Sequence, residues 1–127
     1  MFLRSRLTNV PSAKEAEFKI VLNGLKACDT CRKAQKALIE AGVEFRARDL
    51  REDPPNATEV SAWHESLGTG LLNTRSTTWR GLSETDRAGD PVALMVAHPT
   101  LIKRPVIEAD GTPLLGWTPD TRATLGL

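Results

Sequence analysis

The sequence predicts a single α/β domain in which a central mixed β-sheet is flanked by helices. Three observations support this prediction: a strand–helix–strand unit over residues 18–50, a helical middle region, and a C-terminal β-hairpin followed by a short helix. The length of 127 residues fits one domain, because single cores typically span about 100–200 residues. The predicted order is therefore βαβ, a helical insertion, and ββα.

The first unit is predicted from its hydrophobic pattern. Residues 18–22 form a short run that contains β-branched residues and leads into an Asn23-Gly24 turn, which predicts a strand. Residues 30–41 carry an apolar stripe of helical spacing, which predicts a helix that ends at Gly42. Residues 43–50 alternate as a second strand does. A right-handed crossover between parallel strands would place the first loop at the carboxyl end of the sheet, where sites in α/β folds tend to lie.

Capping and turn signals predict the remaining elements. Asn56 and Glu59 form a capping box for a helix that ends at Gly68, and Asp90-Pro91 begins another that ends near His98. The hairpin and last helix are predicted from residues 106–108, the turn Asp110-Gly111, residues 112–115 and the start signal Thr118-Pro119. Residues 1–17 show neither period, so we interpret them as a flexible N-terminal extension or an alternative start, with the domain over residues 18–127.

Charge and composition exclude several classes of partner. A net charge of +1 provides no electrostatic field that would attract nucleic acid or membranes non-specifically. The aromatic content of 5%, with no tyrosine, disfavours a surface on which bases stack. No apolar run approaches the length of about 20 residues that spans a bilayer, and the opening residues 1–6 lack the continuous apolar stretch that is typical of a secretory signal. We therefore expect a cytoplasmic protein that binds neither nucleic acid nor membrane. A monomer is the oligomeric state that we expect, although neither charge nor composition indicates it.

Cys28 and Cys31 form a Cys-x-x-Cys motif between the first strand and the first helix. Free amide groups and the helix dipole at that position lower a cysteine pKa from about 8.5 into the range of about 3.5–7.5. Cys28 is thus a candidate nucleophile, and Cys31, one helical turn on, a candidate resolving thiol. Two alternatives remain: inert buried thiols, or half of a zinc site, for which His64 and His98 lack the usual spacing.

Three segments together resemble the ArsC/Spx family of thioredoxin-fold proteins, and most of all its YffB-type members. They are GLKACDTCRKA at residues 24–34, LLNTRSTTWR at residues 71–80 and HPTLIKRPV at residues 98–106. The resemblance implies a thioredoxin-like fold with a helical insertion. It also implies that Cys28 attacks the substrate, while Arg75 and Arg104 bind an oxyanion or a carboxylate.

The resemblance gives three functional hypotheses. The first is a glutathione-dependent thiol/disulfide oxidoreductase with glutathione as co-substrate and no bound cofactor or metal. The second is an arsenate reductase coupled to glutathione and glutaredoxin, although residues 114–117 lack the arginine that those reductases carry on the C-terminal hairpin. The third is a redox-sensing regulator that, like Spx, binds RNA polymerase.

Further site residues are assigned with their structural alternatives. Without the resemblance, Arg75 and Arg104 would be interpreted as surface ion-pairing residues. Pro105 matches the cis-proline position of thioredoxin folds, where backbone groups pair with a peptide-like substrate such as glutathione. Thr30 either bonds the Cys28 thiolate or helps to start the helix. Asn73 is a candidate site-shaping residue, Trp79 is expected in the core, and His98 is expected at a helix end.

Overall fold

A computed structural model describes residues 19–127. Its strands are β1 (Ile20–Gly24), β2 (Arg46–Asp49), β3 (Val106–Ala109) and β4 (Thr112–Leu115). Its α-helices are α1 (Asp29–Glu40), α2 (Ala57–Leu67), α3 (Thr77–Arg80), α4 (Glu84–Arg87), α5 (Pro91–Ala97) and α6 (Pro119–Thr124). Two 3₁₀ turns, Gly68–Leu71 and Pro99–Leu101, complete the predicted helical insertion.

The four strands form one mixed sheet in the order β2-β1-β3-β4. β1 pairs in parallel with β2 and antiparallel with β3, and β3 pairs antiparallel with β4. Asp110 and Gly111, both at positive φ, make the two-residue hairpin turn. The predicted mixed sheet and element order are confirmed.

The sheet separates two apolar clusters. On one face, α1 packs Ala34 and Leu38 against Leu22 and Ile107. The cluster on the other face joins α2, the insertion and β3, and its buried residues are Leu50, Val60, Trp63, Leu71, Met95, Leu101, Ile102 and Val106. Helices on both faces hold β1 centrally, so the loop after β1 has a rigid base.

Arg48, on the polar side of β2, is buried, which the alternating pattern did not reveal. Arg48 is 6% exposed, and its Nη1 lies 2.6 Å from the Glu59 carboxylate of α2. Glu59 completes the predicted capping box with Asn56 at the same time. This ion pair ties β2 to the start of α2.

Two strand boundaries differ from the sequence prediction. Asn23 and Gly24 are the last residues of β1 and not a turn, because they pair with Arg48 and Asp49 of β2. The Asn23 side chain also bonds inside the fold, where its Nδ2 donates to Val106 O at 3.0 Å. β2 is limited to four residues of the predicted 43–50, which are those that pair with β1. Phe18 and the predicted extension lie outside the described residues. No helix within residues 19–127 is long and apolar enough to cross a bilayer.

Candidate active site

Cys28 is the N-cap of α1. Its backbone is extended, its N–H donates to Leu25 O at 3.1 Å, and its carbonyl accepts from Arg32 N at 3.0 Å. The Sγ of Cys28 accepts a hydrogen bond from the backbone N–H of Cys31 at 3.4 Å. The Cys28 side chain that caps α1 therefore lies at the positive end of the helix dipole, and Cys28 remains partly exposed.

Cys31 lies directly beneath this cap and is fully buried, within the cluster formed by α1 and the sheet. Gly24, at the end of β1, leaves room for it: a Cβ at Gly24 would overlap the Sγ of Cys31. Both cysteines are free thiols. Only Cys28 is therefore accessible to a substrate in this arrangement.

The two thiols differ in acidity. Burial raises the pKa of Cys28, but hydrogen bonds from the thiol and backbone N–H of Cys31 and the guanidinium of Arg104 lower it, so that the pKa lies below its ordinary value. Burial and the adjacent Cys28 sulfur raise the pKa of Cys31 to about 12. Cys28 thus ionises first, while Cys31 keeps its proton and donates it to the Cys28 sulfur.

Arg104 is held beside Cys28 by the chain that precedes it. Its Nη1 donates to Thr100 O at 2.9 Å and to Ile102 O at 3.0 Å. Its buried Nε has no hydrogen-bond partner among the described residues. The guanidinium is fixed by backbone carbonyls rather than by a carboxylate, so its charge remains available to the thiolate or to an anion.

Arg75 and Asn73 lie on the loop before α3 and do not contact Cys28 through any hydrogen bond within residues 19–127. Asn73 Oδ1 accepts from the Arg75 backbone N–H at 3.1 Å, and both residues line a pocket of about 470 Å³ that also includes Lys103. The structure thus brings Arg104 to the thiolate and places Arg75 and Asn73 at a pocket on the neighbouring segment.

The other predicted residues are placed as follows. The Arg104–Pro105 peptide bond is cis, as the resemblance implied. The Pro105 carbonyl accepts from Gly116 N at 2.8 Å, whereas the backbone N–H and C=O of Arg104 have no partner in the described part of the chain. Thr30 is exposed in the first turn of α1, and Cys28 supplies the cap. His98 ends α5, and Trp79 packs partly buried against the core, as expected.

Sequence reasoning missed Gly24 as a residue of the site. The signal that could have found it is a glycine at the end of a buried strand four residues before a reactive cysteine. With regard to metal, residues 19–127 contain no group of three or more His, Cys, Asp or Glu side chains arranged to hold an ion.

A model of the ArsC family matches residues 24–125, which include both cysteines and the two arginines. The chain belongs to the ArsC family. A Haemophilus influenzae protein is 36% identical over 103 residues, which are 77% of this chain and 90% of that protein. The regulatory protein MgsR of Bacillus subtilis is 25% identical over 109 residues, which are 81% of this chain and 86% of MgsR.

Solved structures of ArsC-related proteins share the fold. A protein named YFFB matches with a TM-score of 0.77 and 36% identity over 83% of this chain and 96% of its own. An arsenate reductase (ArsC) related protein from Brucella melitensis matches with a TM-score of 0.65 and 32% identity over 85% of this chain and 95% of its own. The fold is therefore the thioredoxin-like fold of the ArsC and YffB proteins.

Proposed function

We propose that this chain is a glutathione-dependent thiol/disulfide oxidoreductase with Cys28 as its nucleophile. The observation that carries the proposal is the pair of unequal thiols: a partly exposed, acidified Cys28 on the helix N-terminus beside Arg104, above a buried and protonated Cys31. A low-pKa thiol that a substrate can reach is the attacking group of such enzymes.

In the first step the Cys28 thiolate attacks the glutathione sulfur of a mixed disulfide between glutathione and a second thiol. A Cys28–glutathione disulfide forms, and the second thiol leaves as its thiolate, so the substrate thiol is reduced. The amide N–H groups at the start of α1 and Arg104 stabilise the attacking thiolate.

In the second step a free glutathione thiolate attacks the sulfur of the bound glutathione. Oxidised glutathione is released, and Cys28 returns as its thiolate, with free glutathione as the reductant. Resolution by Cys31 would instead need the deprotonation of a fully buried thiol whose pKa is about 12. The second glutathione is therefore the favoured resolving group, and Cys31 mainly stabilises the Cys28 thiolate.

Arg104 offers two kinds of contact to a peptide-like substrate. Its guanidinium charge, which no carboxylate of residues 19–127 neutralises, suits a carboxylate, and its backbone N–H and C=O, which have no partner within those residues, suit the main chain of a short peptide. Glutathione carries both groups. Arg75 is the second proposed carboxylate ligand, with Thr30 and Asn73 shaping the site, and Pro105 positioning the Arg104 backbone.

The proposal is tested by turnover of a glutathionylated peptide with glutathione and glutathione reductase. We expect Cys28→Ser to abolish turnover and Cys31→Ser, the matched control, to retain it, because a second glutathione can resolve the intermediate. Undiminished turnover by Cys28→Ser would remove Cys28 from the mechanism and overturn the proposal.

Arsenate reduction is the second candidate function. The similarity to the Brucella melitensis ArsC-related protein and the position of Arg104 beside Cys28 favour it. Against it, neither β4 nor the following Gly116-Trp117 carries an arginine that could be a third oxyanion ligand. Arsenate-dependent NADPH consumption in an assay with glutathione, glutaredoxin and glutathione reductase would support this function. The absence of such consumption over a wide range of arsenate concentrations would reject it.

The similarity to MgsR favours a third hypothesis, a redox-responsive regulator. On this hypothesis the oxidation state of Cys28 and Cys31 would control binding to RNA polymerase. Retention of polymerase by the immobilised protein in only one redox state would support it. Failure to retain polymerase under both oxidising and reducing conditions would exclude it.

A further inference from the structure

A basic pocket is lined by Lys103, the residue that immediately precedes Arg104 in the chain. The pocket has a volume of about 470 Å³, and its charged lining residues are Arg75 and Lys103. The uncharged lining residues are Thr69, Gly70, Leu72, Asn73 and Thr74. None of the residues that line it is a carboxylate. The ligand that best fits the charge of this pocket is an anion.

The two sides of the pocket are fixed by backbone pairing. Asn73 N donates to Leu101 O at 2.7 Å, and Lys103 N donates to Leu71 O at 2.8 Å, on either side of a β-bridge between Leu72 and Ile102. The main chain at Lys103 is therefore held against the loop that carries Arg75.

Both cations of the pocket are unpaired within the described part of the chain. The side chains of Arg75 and Lys103 form neither an ion pair nor a hydrogen bond with residues 19–127, and both residues are exposed. Two free cations at one pocket leave their charge to a ligand.

We propose that Lys103, together with Arg75, binds the second carboxylate of a thiol substrate whose first carboxylate is held by Arg104. The inference rests on the proposed function and names its substrate class, a thiol peptide with two carboxylates, such as glutathione. Lys103 acts here as a specificity-determining residue and not as part of the sulfur chemistry.

The length of such a ligand can be compared with the spacing of Lys103 and Arg104 along the main chain. Adjacent Cα atoms such as those of Lys103 and Arg104 are about 3.8 Å apart, and an extended tripeptide spans roughly 10 Å. An extended tripeptide is therefore longer than the main-chain spacing between Arg104 and Lys103, so a ligand that contacts Arg104 has the length to reach a pocket lined by Lys103. A small neutral thiol such as 2-mercaptoethanol has no carboxylate to place there.

The test compares Lys103→Met with Lys36→Met, which removes an exposed lysine from the second turn of α1 and leaves the pocket intact. Binding of S-methylglutathione, which has both carboxylates but no reactive thiol, is measured by calorimetry. We expect Lys103→Met to weaken this binding about two- to fivefold, as loss of one exposed charge pair would. Lys36→Met should bind as the wild type does, and Lys103→Arg should restore binding.

A kinetic comparison then separates the pocket from the chemistry. The value of kcat/KM is measured for two substrates, which are the mixed disulfides of one peptide with glutathione and with 2-mercaptoethanol. We expect Lys103→Met to lower the ratio of the glutathione value to the 2-mercaptoethanol value about two- to fivefold. Equal effects of Lys103→Met and Lys36→Met, or no effect of Lys103→Met, would overturn the inference.

Failure of the inference is distinguishable from failure of the proposed function. Wild-type turnover of glutathionylated peptide that does not depend on Lys103 would refute only the inference. Binding of S-methylglutathione that depends on Lys103, without any turnover by the wild type, would refute only the oxidoreductase function. A wild-type protein that does not bind S-methylglutathione would overturn the inference directly.

Discussion

Gly24→Ala is a direct test of how β1 positions the buried thiol. The added Cβ would overlap the Sγ of Cys31 and lie 3.1 Å from its Cβ and 3.4 Å from Leu22 Cδ2. These neighbours belong to a buried cluster that cannot move without disturbing α1. Overpacking of this kind costs about 1–3 kcal/mol, which lowers the Tm of a domain of roughly this size by about 4–12 °C.

Thermal denaturation followed by circular dichroism measures this effect. Gly70→Ala is the matched control, because its added Cβ would have only an ordinary contact with Leu115 at 3.5 Å. The double variant Gly24→Ala/Cys31→Ala removes the overlapping sulfur, so it should recover part of the stability, as a positive coupling in a double-mutant cycle. A Gly24→Ala protein as stable as the wild type would refute the packing of Cys31 against the end of β1.

Two further predictions concern charge. Burial raises the pKa of Glu59, but hydrogen bonds from Arg48 and from the Asn56 backbone N–H lower it below its usual value. The contribution of Glu59 to stability is therefore present above its unfolded pKa and is lost as pH falls through the folded value. Glu59→Gln should lose about 1–3 kcal/mol at pH 7, because the Glu59 side chain is partly exposed and Asp53 remains near Arg48. The urea midpoint of Glu59→Gln should fall less steeply in acid than that of the wild type, whereas parallel midpoints would contradict this. Cys31→Ala should raise the pKa of Cys28, because the thiol hydrogen bond is lost, and an alkylation profile that does not move would show that Cys31 does not acidify Cys28.

Local signals predicted most of the fold. The caps at Asn56, Asp90 and Thr118 begin helices as expected, since each side chain accepts from a backbone N–H three residues later. The hairpin follows from Asp110-Gly111, because both residues take positive φ. These elements depend on neighbours in the chain, which a sequence displays directly.

Features that depend on distant residues were not predictable from patterns. Asn23-Gly24 has the composition of a turn, yet Asn23 lies in β1 because it pairs with β2 and β3, and its side-chain amide also donates to Val106 and Glu108 of β3. Arg48 belongs to the polar side of an alternating strand, yet it is buried because Glu59 approaches from α2. In each case a partner more than ten residues away decides the environment.

The same division holds for the candidate site. The position of Cys28 at the start of a helix follows from the motif and its place after a strand. The approach of Arg104 to Cys28 was implied by the family resemblance alone, because the two residues lie near opposite ends of the domain sequence. The pocket at Lys103 depends on the bridge between Leu72 and Ile102, which no local pattern indicates.

The pH dependence of Cys28 alkylation tests the central claim most directly. Because Cys31 is buried and its pKa is about 12, the rate of iodoacetamide labelling below that pH reports on Cys28. We predict a Cys28 pKa below the value of about 8.5 for a free cysteine, and slower labelling when glutathione or S-methylglutathione occupies the site. A pKa at or above that of free cysteine, unchanged by glutathione, would contradict the assignment of Cys28 as the nucleophile.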